Sequence, residues 1–108
     1  MSNHPPVPKR LTELLVDYPQ HIQKLQIALD RVAAKPVTST PAFELAVWAI
    51  EGVLEEFNAQ AREELEMAGK SGDAGTLAAA DAKLKLMRRA YMKQGWIGDE
   101  ALSNFFAS

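Results

Sequence analysis

Leu11, Leu15, Tyr18, Ile22, Leu25, Leu29 and Val32 follow one another at alternating steps of four and three residues, and two later segments keep the same rhythm. Only an α-helix gathers such positions onto one stripe; a strand would scatter them over both its faces. The chain is therefore expected to be all-α, an antiparallel bundle of three main helices closed by a short C-terminal helix. Its 108 residues, 47% of them hydrophobic, can bury one core without staples.

Residues 1–8 hold Pro5, Pro6 and Pro8 and show no period, so they read as a flexible or extended lead-in to a single bundle domain over 9–108. Pro19 falls inside the first stripe without disturbing its phase. The unbroken phase allows one kinked helix, whereas Asp17-Tyr-Pro-Gln20 suits a fresh start, with Asp17 as cap and Gln20 at capping-box spacing. The break is the reading adopted, and it gives a four-helix arrangement. Lys35 to Pro41 is a linker, with Thr40 as cap and Pro41 as first residue of the second long helix. That helix is expected to run to about Ala68 on Phe43, Val47, Ile50, Leu54, Phe57, Ala61, Leu65 and Ala68, with Gly69 stopping it.

A glycine-rich turn over 70–75 then leads to a third helix, from Asp73 or Thr76 to Gln94, burying Leu77, Ala80, Leu84, Met87 and Tyr91. Gly95 ends it, Trp96 and Ile97 fold back over that end, and Asp99 caps a last helix carrying Leu102, Phe105 and Phe106. The second helix is rich in glutamate (Glu44, Glu51, Glu55, Glu56, Glu63, Glu64, Glu66) and the third in cations (Lys83, Lys85, Arg88, Arg89, Lys93). Such surface charges bias which helices become neighbours more than they hold them together.

No chemistry is announced by this pattern. Cysteine is absent, which removes disulfides, thiol catalysis and thiolate metal sites and suits a reducing, cytoplasmic location. Gly69-Lys-Ser71 has the closing residues of a phosphate-binding loop, but the required earlier glycine position is Glu64 and the preceding segment is helical. His4 and His21 lack further ligands nearby, although Asp17 lies one helical turn from His21. Glu64 reads as a rim residue, and no Glu-x-x-His accompanies the glutamates as a di-iron bundle needs. An enzyme, a cofactor and a metal are therefore not expected. No run of apolar residues is long enough to span a membrane, and a net charge of −2 gives no general attraction to nucleic acid or anionic lipid.

Gly95-Trp-Ile-Gly-Asp-Glu-Ala-Leu102 after a basic amphipathic helix resembles SHOCT-type C-terminal modules, which are associated with oligomerisation. The resemblance covers less than a third of the chain and transfers no function by itself.

Two surface features remain. Leu45, Trp48, Ala49 and Gly52 lie away from Val47, Ile50 and Leu54, making that part of the second helix apolar on opposite faces. Either the N-terminal segment or the Phe105/Phe106 tail covers the second face within the chain, or another chain does. Lys85, Arg89 and Lys93 form a basic ridge on the third helix. The leading function is a non-catalytic protein-protein interaction or self-associating helical protein, an adaptor, modulator or homodimer. The alternatives are a nucleic-acid-associated regulator using the basic helix, disfavoured by its acidic neighbour, and a bundle binding a small ligand between helices, for which no motif speaks.

Overall fold

The computed structural model describes residues 4–35 and 39–107. Met1–Asn3 of the lead-in, Pro36–Thr38 of the first linker and Ser108 lie outside the described residues. Within them the chain is all-α: α1 (Lys9–Leu14), α2 (Pro19–Ala34), α3 (Ala42–Ser71), α4 (Ala74–Tyr91) and α5 (Glu100–Phe105), with a 3-10 turn over Lys93–Gly95. No helix among the described residues is long and apolar enough to cross a membrane.

The first stripe is divided at Pro19, which opens α2 in the first turn, where a missing N–H leaves no helical acceptor unserved. The cap is Tyr18 rather than Asp17, and its side chain makes no capping bond. Proline at the first helical position sets the backbone angle that a capping box would otherwise help to fix. Both halves keep one face inward, with Leu11, Leu15, Leu25 and Leu29 fully buried.

The long elements α3 and α4 form an antiparallel hairpin whose register is set by three links. Asn58 Nδ2 donates to the Met87 carbonyl at 3.0 Å, Lys83 Nζ meets the Glu64 carboxylate at 2.9 Å, and Lys93 Nζ approaches Glu51 at 3.4 Å. Two of the expected charge complements between acidic and basic helices are thus made directly. Asn58 is a buried polar residue that the apolar stripe did not reveal. Its amide is satisfied only because the Leu54 carbonyl, also at 3.0 Å, and the Met87 carbonyl both face it, so a slipped register would strand it.

The helix ends differ from the sequence reading by physically intelligible steps. Pro41 is the cap of α3 rather than its first residue. Gly69 stays helical, since glycine there costs about 1 kcal/mol against alanine without forcing a stop. Termination comes at Gly72, whose φ of 75° is the left-handed conformation that closes a helix. Asp73 then caps α4, accepting the N–H groups of Gly75 and Thr76 at 3.3 Å each and the Thr76 hydroxyl. Those bonds, the Thr76 hydroxyl first, hold its carboxyl below the ordinary value. α4 ends at Tyr91, short of Gln94, because the chain tightens into the 3-10 turn.

A second layer, α2 against α3 and α1 against α4, covers only one part of the hairpin. Lys9 N–H donates to Asp99 at 2.9 Å at one limit of this layer. At the other, His21 stacks on Phe57 at 4.2 Å and Lys83 Nζ lies 5.4 Å from the Tyr18 ring centre. Beyond that level the hairpin stands alone, and every residue from Gly69 to Ala79 is exposed. The molecule measures 52 × 24 × 23 Å with a radius of gyration of 15.6 Å, against roughly 13 Å for a compact chain of this size.

This shape corrects two core assignments. Leu77 is 42% exposed, because only α3 faces it, and Tyr91 is 41% exposed as the last residue of α4, its place in the core taken by Ala90. Leu84 and Met87 are buried as the stripe requires.

The covered end is closed by Trp96, 2% exposed, whose Nε1 donates to the Ala90 carbonyl at 3.1 Å, in the last turn where α4 runs out of its own donors. Asp99 caps α5 through the Leu102 N–H at 2.9 Å while its other oxygen takes Lys9 N–H, joining the two ends of the chain. In the described part of the lead-in Pro5 and Pro8 are fully buried, Gln26 donates to the Pro5 carbonyl at 2.7 Å, and His4 meets Asp30 at 3.0 Å. Prolines have little backbone freedom to lose on such packing.

Candidate interaction face

A turn of 100° per residue puts Leu45 with Ala49 on one row of α3 and Trp48 with Gly52 on the next. The structure separates those rows. Leu45 and Ala49 are half-buried and pack against the core, whereas Trp48 is 58% exposed and a Cβ added at Gly52 would meet nothing within 4 Å. The expected apolar quartet is therefore two halves, one inside and one outside. Cover from within the chain does not reach Trp48 among the described residues. Phe106 packs toward the core and stacks edge-on with Phe105 at 5.0 Å.

The basic ridge is also divided. Lys85 pairs with Asp81 on its own helix at 2.8 Å, and Lys93 leaves the helical row after Tyr91 to reach Glu51. Arg89 alone of the three is exposed without an ion pair among the described residues. Glu64, read as a rim residue, pairs with Lys83 and borders an open groove lined by Gln60, Glu63 and Met67.

His21 sits in an environment that shifts its titration, and the sequence did not announce it. Position 21 falls on the flank of the α2 stripe, so its ring lands on Phe57 and tilts against Tyr18 at 5.3 Å instead of pairing with Asp17. Burial first, then the positive charges of Lys83 and Lys24, hold it below the ordinary value of 6.5; Glu64 opposes them. The folded state therefore favours the neutral ring, and the unfolded chain takes up a proton first. Stability from this group is complete above about pH 6.5 and is lost as pH falls through the depressed folded-state value. The melting temperature is expected to drop between pH 7.5 and 5, and His21→Phe, which keeps a ring on Phe57, should flatten that slope. An unchanged slope in the variant would assign the pH dependence elsewhere.

No family model, curated protein or solved structure matches the chain.

Proposed function

We propose that the protein acts by contact rather than catalysis, as a small interaction protein that docks a protein partner on the Trp48 side of α3. The observation that carries this reading is a tryptophan left largely in water, beside a glycine with open space above it, on the central helix of the bundle. Trp is among the commonest anchors of protein contacts, and small neighbours let a partner backbone approach it. The lack of cysteine accords with a cytoplasmic setting.

The test is Trp48→Ala, followed by sedimentation at several concentrations together with circular dichroism. Because the indole is exposed, its removal leaves no cavity, and stability should change by less than about 0.5 kcal/mol. Association should weaken at least tenfold, since a central aromatic anchor commonly carries about 2 kcal/mol. A melting temperature lowered by many degrees, or association unaffected by the change, would defeat the proposal.

A further inference from the structure

We infer that the partner on this face is a second copy of the chain, aligned with the first so that both hairpin tips point the same way; the inference rests on the reading of Trp48 just given. The α3/α4 hairpin has one side under the α1/α2 layer and one side bare. Phe57 and Lys83 face the layer through His21 and Tyr18. Positions about half a turn away from them lie on the bare side. On α3 these include Trp48, Glu55 and Arg62, at steps of seven, and Glu66, which pairs with Lys70 on its own helix; on α4 they include Asp81, Lys85 and Arg88, of which Lys85 and Asp81 pair with each other. Glu55, Arg62, Lys85 and Arg88 are exposed, and Glu55 and Arg88 make no ion pair among the described residues.

The order of sign along the two rows is what selects the partner. From the covered end toward the tip, α3 reads negative at Glu55, positive at Arg62 and negative again at Glu66, whose charge Lys70 meets. In the same direction α4 reads positive at Arg88 and Lys85 and then negative at Asp81. The Asn58–Met87 link sets these rows level, so Glu55 and Arg88 lie within one turn of each other along the axis, as do Arg62 and Asp81.

A two-fold axis parallel to the hairpin lays α3 of one copy on α4 of the other at equal height. It sets Glu55 on Arg88, a contact made twice, and places Arg62 beside the Lys85–Asp81 pair. An axis across the hairpin, placed to match Glu55 with Arg62, would set α4 on α4 and bring Lys85 onto Arg88, like charge on like. The charges thus fix orientation, while Trp48 supplies affinity.

Mixed charge reversal tests this directly. Glu55→Arg alone and Arg88→Glu alone each create like-charge contacts twice over, and each is expected to weaken self-association roughly tenfold or more. An equimolar mixture of the two variants should recover wild-type association. In the mixed dimer the reversed charge at position 55 of one chain faces the reversed charge at position 88 of the other, and the second contact is native. Circular dichroism of each variant checks that the monomer is intact.

If both single variants dissociate and their mixture does not recover, the parallel two-fold is wrong. If dimers are lost in Trp48→Ala yet indifferent to both reversals, the Trp48 reading stands and the charge register falls. A wild-type chain that stays monomeric to millimolar concentration overturns the second copy as occupant and leaves the face to a different protein.

Discussion

Leu54→Asp is expected to leave the chain without a cooperative unfolding transition. Leu54 is fully buried on α3, the helix that packs against both α2 and α4. A carboxylate there has no partner, and the cost of burying it or keeping it protonated is several kcal/mol. Small domains hold only about 5–15 kcal/mol in total. Far-UV circular dichroism through a thermal ramp is the measurement: wild type should melt sharply, and the variant should lose helicity gradually or from the outset. Lys24→Asp, on the exposed side of α2, is the control and should lie within about 0.5 kcal/mol of wild type. A Leu54→Asp protein melting within a few degrees of wild type would mean that α3 is not the centre of the core.

Trp96→Ala should be the next most damaging change, costing about 3–5 kcal/mol. The side chain is the largest buried one in the molecule and closes the end where α4, α5 and the start of α1 converge. Trp96→Phe separates the two contributions, since it keeps much of the packing but loses the bond to the Ala90 carbonyl, worth roughly 1 kcal/mol. Denaturant midpoints for the three proteins give the comparison. Should Trp96→Ala unfold at the wild-type midpoint, the closure of this end contributes nothing to stability. The two tryptophans make the readout specific, because Trp96 is dry and Trp48 is wet.

The apolar rhythm carried most of the fold, since burial is a property of single positions and shows in their spacing. Leu11 to Val32, Val47 to Ala61 and Leu84 with Met87 all lie where the 3.6-residue period puts them. Proline and aspartate signals at Pro19 and Asp99 also read correctly, because each acts on the residues next to it. What stayed hidden depends on where one helix stops beside another. Leu77 satisfies the period but lies past the start of α2, and no local pattern reveals that α2 begins level with Phe57. Asn58 and His21 were invisible for the same reason: their partners, Met87 and Phe57, are distant in sequence. The Trp48 quartet was legible as an anomaly, yet its split into a covered and an uncovered row follows from the packing of the neighbouring helices.

The bare reach of the hairpin has a consequence for how the molecule breathes. Residues Gly69–Ala79 are exposed throughout and owe their order to one another and to the Asp73 cap. Opening there uncovers almost none of the apolar core, whereas opening at Trp96 or Leu29 uncovers much of it. Local stability is therefore graded along the 52 Å axis, lowest at the tip and highest where four helices meet. Amide hydrogens of the tip are expected to exchange with solvent through small fraying events, and those of the base only when the whole domain unfolds. The Gly72 turn is accordingly the point at which the chain can accept an inserted segment, or be cut, with the least disturbance to the rest.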